Sequence, residues 1–230
     1  MALASSPLWF IEATGFSPIS KSAFDEGLFN IAETKIISKI DFDQILEKAQ
    51  EHAYDLKISD LIEEDLDKYP MSLSKEKIPT LIEFLKLVNG KVPVLIEIKV
   101  DGKFNPLICD VLLENLKDYP NKDYIALQSF HPFAVKYLKE HTDEYSVGQL
   151  ATNKYEGYSK ITEYLLSNLR LFNMSHADFI SYDINGLPNK RVKKLHKKYP
   201  LLCWTIDTKE KYDKSKQFAD NIIFEFISLN

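Results

Sequence analysis

The chain has 230 residues, of which 45% are hydrophobic and 27% charged, and its formal net charge at pH 7 is -5. This length and apolar content suffice for one sizeable core, so we expect a single domain over residues 1–230. The acidic balance argues against a nucleic-acid partner, because such proteins usually carry a basic excess. The two cysteines form no CxxC pair, and no apolar run reaches the ~18 residues of a transmembrane segment. We therefore expect a cytoplasmic protein.

The first 75 residues carry a weak pattern. LWFIEA (8–13) and KIISKI (35–40) are typical of strands, and DQILEKAQEHA (43–53) and ISDLIEEDLDKY (58–69) are typical of helices. The first 75 residues therefore contain few predicted strands and helices for their length.

From residue 76 onward, short apolar runs alternate with longer stretches of helical period. This alternation predicts parallel strands joined by helical crossovers. The clearest helix is IPTLIEFLKLVNG, in which Pro79 suits a first turn and Asn89-Gly90 suits an end. The predicted strands are 93–99, 124–130, 145–150, 178–183, 201–207 and 221–226, and the predicted helices are 78–90, 105–119, 132–141, 157–172, 187–199 and 211–219.

Repeated βα units either wind an open sheet or close a barrel. The chain has only 7 glycines and no GxGxxG motif, which disfavours a dinucleotide-binding open sheet. We therefore predict an α/β fold, a TIM-like (β/α)8 barrel that is incomplete or distorted in its divergent first third, residues 1–75.

Two charges end the first clear strand, PVLIEIK. Glu97 and Lys99 are two positions apart and so share one face, at the strand end where parallel barrels have their active sites. A carboxylate there can bind a divalent cation, and an ammonium can bind an anionic substrate. A buried ion pair or two solvated charges would give the same pattern.

Polar or aromatic residues end other predicted strands as well. Gln128 ends YIALQ, and Trp204 lies in LLCWTID, where it either stacks against an apolar part of a substrate or belongs to the core. His131, in SFHP, is a candidate acid or base or a structural residue. Several such endings around one rim favour a site at that rim.

The order of these segments resembles the glycerophosphodiester phosphodiesterase family, whose members are metal-dependent enzymes on a TIM-barrel-like fold. The resemblance is carried by IPTLIEFLKLVNGKVPVLIEIK, YIALQSFHPFAVKYLKE with SVGQL, and ADFISYDINGLP with LLCWTID and ADNIIFEF. It implies Glu97 as a metal-binding carboxylate, Lys99 as a basic residue of the substrate pocket and Trp204 as an aromatic residue at the rim. Gln128 is a further substrate-binding candidate because of its position at a strand end. The implied cation is magnesium or calcium, and the implied products are glycerol 3-phosphate and an alcohol.

The first third departs from the family pattern at the positions of the chemistry. Aligning FIEATGF with the family's first strand places Ala13 and Thr14 where a His-Arg pair is expected, and leaves only Gly15. A second register, with residues 11–14 on the family's Glu-x-Asp strand, makes Glu12 a metal ligand. Neither register supplies one of the two histidines that act as general acid and base in the family. The five histidines are His52, His131, His141, His176 and His196.

Two hypotheses follow. The favoured one is a catalytically impaired relative that binds a small phosphodiester or phosphate ester, a lipid headgroup or a protein partner, and requires no cofactor. The alternative is an active phosphodiesterase with a rearranged site that uses Glu97, Lys99 and a histidine outside the family positions, such as His131, with a divalent cation. An incomplete barrel would expose strand edges, so an oligomer is compatible with either hypothesis.

Overall fold

The structure is a computed structural model that describes residues 10–12, 79–100, 102–225 and 227. The predicted strand at 35–40 and the predicted helices at 43–53 and 58–69 lie outside these residues. The strands are β1 (Phe10–Glu12), β2 (Val94–Glu97), β3 (Ile125–Ser129), β4 (Ser146–Ala151), β5 (Phe179–Asp183), β6 (Leu201–Ile206) and β7 (Asn221–Phe224). The helices are α1 (Leu81–Val88), α2 (Leu107–Leu116), α3 (Pro132–His141), α4 (Lys160–Ser167), α5 (Phe172–Ser175), α6 (Lys190–His196) and α7 (Lys209–Ser215).

The described strands form one sheet in chain order from β1 to β7. β2 to β7 are parallel to one another, and helices connect them. All six strands predicted beyond residue 76 are present, and the sheet curves into a half-barrel. The predicted TIM-like α/β fold is thereby confirmed.

β1 confirms a strand in the first segment, but its direction differs from that of a parallel barrel strand. It pairs antiparallel with β2, with Phe10 opposite Glu97 and Glu12 opposite Leu95. Among the described strands, this pairing covers the edge of β2 that faces away from β3.

Local capping decides where the helices begin. Thr80 Oγ1 accepts from the Glu83 N–H at 3.2 Å, and Glu83 Oε2 accepts from the Thr80 N–H at 2.9 Å, which is a complete capping box for α1. Pro79 therefore precedes the cap instead of lying in the first turn as predicted. Asn89, with φ of 46°, ends the helix in the left-handed conformation.

The single helix predicted over 157–172 is wrong, because the chain divides it. α4 begins only after Ser159, whose Oγ accepts from the Thr162 N–H at 3.2 Å. Leu169 has a φ of 48°, which a right-handed helix cannot accommodate, while its side chain is buried in the core. The helix therefore does not continue through Leu169, whose side chain is buried in the core, and α5 follows as a separate short helix.

Candidate functional site at the carboxyl ends of the strands

The two faces of the sheet have different surroundings. Alternate residues of the strands, including Ile96, Leu127 and Ile180, pack outward into the main core beneath the helices. The residues between them form a second, smaller cluster on the inner, concave face. We call this cluster the inner layer: Leu95, Ala126, Phe179, Leu202 and Ile223, with Trp204 packed against it.

β4 contributes a glycine to the inner face. A Cβ atom added to Gly148 would lie 2.1 Å from Cε2 of Phe179, closer than real contacts allow. Phe179 therefore occupies the space above β4, and the half-barrel is packed below the strand ends.

On β2, β3 and β5, the residue two positions after the inner-layer residue also faces inward. These three residues are Glu97, Gln128 and Ser181, and we call them the polar layer. Glu97 and Gln128 are register partners on neighbouring strands. Gln128 is 2% exposed and Ser181 0%, yet Gln128 Oε1 and Ser181 Oγ have no hydrogen-bond partner among the described residues. Buried polar atoms usually have partners, so these two oxygens are suited to a ligand.

Burial sets the electrostatics of Glu97. The side chain is half-buried, and desolvation raises the pKa of its carboxyl, while the positive charge of Lys99 lowers it by a smaller amount. Lys99 follows on the same face and is exposed. Strand alternation puts Glu97 on the same face as Leu95 of the inner layer, and Lys99 follows two positions later at the mouth.

Trp204 is half-buried on the inner face, and its Nε1 is another buried atom without a partner among the described residues. Its ring meets that of Phe130 edge-on, with 5.5 Å between centroids. Phe130 contacts Tyr155 at 6.3 Å, and Tyr155 contacts Tyr158 at 5.9 Å. These four rings form an aromatic path from the inner layer to the exposed rim.

His131 lies on the other side of β3. It is the N-cap residue of α3, and its ring lies 5.6 Å from that of Phe104 and 5.7 Å from that of Phe133. Phe104 packs against the outer core, so the imidazole is directed away from the inner face. Burial lowers the pKa of His131, which keeps the ring neutral at neutral pH.

The other described histidines lie at helix ends. His141 is the last residue of α3, His176 follows α5, and His196 is the last residue of α6. These helix ends precede the amino ends of the next strands, at the opposite end of the half-barrel. Over the described ranges, no histidine lies on the inner face, and His52 is outside those ranges.

The polar layer fits a weakly held divalent cation. Within the described part of the chain, no three His, Cys, Asp or Glu residues are grouped to hold a metal ion. The Glu97 carboxylate and the unpartnered Gln128 Oε1 are nevertheless neighbouring oxygen donors, the type that magnesium and calcium prefer. Such a pair can hold a cation whose other ligands are water and a substrate phosphate. The backbone of Glu12 pairs with Leu95, two residues before Glu97, and so lies further from the strand end.

Sequence reasoning missed three residues near this site. Ser181 is hidden in an apolar strand, Phe130 belongs to the aromatic path, and Glu225 follows Ile223 of the inner layer by two residues. Strand alternation is the pattern that could have identified them, once one inward residue of each strand was known.

A parallel α/β half-barrel with polar side chains at the carboxyl ends of its strands defines the class of barrel enzymes and their relatives. A model of the glycerophosphoryl diester phosphodiesterase family matches residues 33–228, which is most of the chain. The protein belongs to this family. A search of curated proteins finds no match.

Solved structures share the fold. A phosphodiesterase from Oleispira antarctica, in complex with its product sn-glycerol-3-phosphate, is 17% identical with a TM-score of 0.60, over 74% of this chain and 69% of that one. A glycerophosphodiester phosphodiesterase from Thermotoga maritima is 21% identical with a TM-score of 0.54, over 76% and 71%. A Silicibacter pomeroyi protein described as a glycerophosphoryl diester phosphodiesterase is 15% identical with a TM-score of 0.54, over 64% of this chain and only 53% of that one.

The described helices are all too short or too polar to cross a bilayer.

Proposed function

We propose that the protein binds a glycerophosphodiester or its glycerol phosphate product at the mouth of the half-barrel, and that its capacity for hydrolysis is impaired. The observation that carries this proposal is the polar layer. Glu97 and Gln128 are register partners on neighbouring strands, and Ser181 lies on the same face of β5. Two of their oxygens are buried without a partner among the described residues, whereas His131 is directed away from this face.

Each group at the mouth has a role in binding. The Lys99 ammonium can pair with the phosphate, and the Trp204 ring can stack against the rest of the ligand. The Trp204 Nε1–H has no partner among the described residues. A divalent cation bound by Glu97 and Gln128 would offset the negative charge of the phosphate. The same ion would favour the charged form of Glu97, which burial disfavours.

The proposed impairment rests on the proton-transfer groups, because no histidine of the described residues lies on the inner face. A positioned acid or base contributes about 100-fold to 10,000-fold to such a reaction. The sequence places Ala13 and Thr14 where the family has its first His-Arg pair. The His131 ring is fixed between aromatic rings on the outer side of β3.

Cytoplasm is the location that we propose. Cys109 and Cys203 are buried free thiols, and burial raises the pKa of each to about 12, which keeps them in the unreactive thiol form. Unpaired cysteines suit a reducing compartment.

The test separates binding from turnover. Calorimetric titration with sn-glycerol 3-phosphate, with and without magnesium or calcium, should show binding that Lys99→Met weakens about tenfold, because it removes a charged partner of the phosphate. Lys86→Met, on the exposed side of α1, is the matched control and should bind like the wild type. Absence of binding under every metal condition would refute the proposed ligand.

Release of glycerol 3-phosphate from glycerophosphocholine is measured on the same samples. We expect no metal-dependent release above that of Glu97→Gln. Release that is lost in both Glu97→Gln and His131→Ala would instead establish the alternative, an active enzyme with a rearranged site.

A further inference from the structure

Exposed apolar side chains are concentrated at one end of the half-barrel. Of the seven large apolar side chains that are exposed among the described residues, five lie at or just before the first turn of α1, α2, α3 or α4. We call these five the apolar collar: Ile82 (47% exposed), Leu107 (43%), Phe133 (51%), Tyr158 (52%) and Ile161 (74%).

The contacts of the helix ends show that the collar lies at the same end of the half-barrel as the mouth. Gly90, just after α1, donates its N–H to the hydroxyl of Tyr119, a residue that precedes β3. Tyr145, just before β4, donates its hydroxyl to the carbonyl of Leu116 at the end of α2. These helices thus end at the amino ends of the strands, so their first turns lie at the carboxyl ends. α3 and α4 are the helices that follow β3 and β4, so they begin at that same end.

Two loops at the mouth carry a positive excess. Segments 98–106 and 152–160, which follow β2 and β4, contain four lysines and two acidic residues, while the first turns of α1, α2 and α4 contribute Glu83, Asp110 and Glu163. All four lysines are exposed: Lys99, Lys103, Lys154 and Lys160.

We propose that the apolar collar docks on the surface of an anionic phospholipid bilayer, with the mouth of the half-barrel towards the headgroups. Aliphatic and aromatic side chains with lysines among them are the composition that interfacial membrane surfaces use. Tyrosine and phenylalanine suit the boundary between headgroups and acyl chains.

The arrangement favours a bilayer over a protein partner. A protein interface has a contiguous, densely packed apolar centre, whereas the collar residues project from the starts of four separate helices around an opening. A fluid surface can accept such separated side chains. The aromatic path of Trp204, Phe130, Tyr155 and Tyr158 joins the collar to the inner layer, so the docked surface is continuous with the mouth.

The experiment is flotation of the full chain with vesicles of phosphatidylcholine containing about a third phosphatidylserine, compared with phosphatidylcholine alone. We expect binding to the anionic vesicles that decreases at high salt, because salt screens the lysines. The double variant Phe133→Ser/Ile161→Ser should reduce the partition coefficient about tenfold or more, since it removes two inserted apolar side chains.

Leu87→Ser is the matched control, because Leu87 is 69% exposed but lies in the last turn of α1, at the opposite end. It should bind like the wild type. Ile161→Trp enlarges the apolar surface and should strengthen binding. Because a protein that fails to fold would not show such a gain, this variant separates loss of docking from loss of folding.

Three results would overturn the proposal: no flotation with anionic vesicles, an equal loss in Leu87→Ser, or unchanged binding in the double variant. Sedimentation that showed a dimer dissociated by the double variant, without vesicle binding, would assign the collar to self-association instead. Vesicle binding is measured without substrate, so it can succeed or fail independently of the proposed phosphate-ester site.

Discussion

Two buried serines on opposite faces of the sheet show how differently the fold uses its polar groups. Ser129, on the outer face of β3, donates its hydroxyl to the Ile98 carbonyl at 2.6 Å and accepts from the His131 N–H at 3.1 Å. Ser181, on the inner face of β5, is equally buried, but its Oγ has no partner among the described residues. Ser129 thus has its partners within the fold, whereas Ser181 leaves a buried oxygen on the inner face without a partner among the described residues.

The inner face is nevertheless structural below the polar layer. We expect Gly148→Ala to have the largest effect, a loss of about 2–3 kcal/mol in the free energy of unfolding, because the new methyl group would overlap the Phe179 ring. Urea denaturation measures this loss. Phe179→Leu made in the Gly148→Ala background should recover part of it, since the two sites are in direct contact. Additive losses would show that Phe179 does not occupy the space above Gly148.

The second-largest expected change in the free energy of unfolding comes from the two serines. Ser129→Ala removes a hydroxyl with two partners and leaves the buried Ile98 carbonyl without its donor, so we expect a loss of about 1–2 kcal/mol in the free energy of unfolding. Ser181→Ala removes an unsatisfied group from a similarly buried position, and we expect a change within about 0.5 kcal/mol. Each variant is the control for the other in the same denaturation experiment. Equal losses would mean that Ser181 has a structural partner and would end the contrast between the faces.

The alternation of strands and helices beyond residue 76 could be predicted because it rests on local apolar patterns. The break at Leu169 could not, since a left-handed leucine is held there by burial of its side chain, which only the folded core supplies. The antiparallel direction of β1 likewise depends on which strand edge is open, and no local pattern specifies it.

The site could be predicted to a similar extent. Glu97 and Lys99 were identifiable because two charges at the end of an apolar run contradict simple burial. Ser181 carries no such contrast in sequence, and its importance arises from the absence of a partner in the folded sheet. For His131, the sequence specifies a position at a strand end but not the Phe104 and Phe133 rings that enclose the imidazole.

The smallest expected effect on stability comes from Glu97. Its charge on the inner face can be compared directly with a charge on the helical surface. Because burial raises the pKa of the Glu97 carboxyl in the folded state, folding favours its protonated form. The stabilisation this gives is present at low pH and is lost as the pH rises through the raised pKa. Glu97→Gln should therefore be more stable than the wild type at neutral pH, and the difference should vanish in acid, where the carboxyl is protonated in both states.

Urea denaturation as a function of pH measures this difference, with Glu114→Gln, on the exposed side of α2, as the surface comparison. The effect is small because the positive charge of Lys99 offsets part of the desolvation. If Glu97→Gln were instead destabilising at neutral pH, the carboxylate would be held by a positive partner within the fold. The polar layer would then be structural, like the outer face, and would not be available to a phosphate ester or a cation.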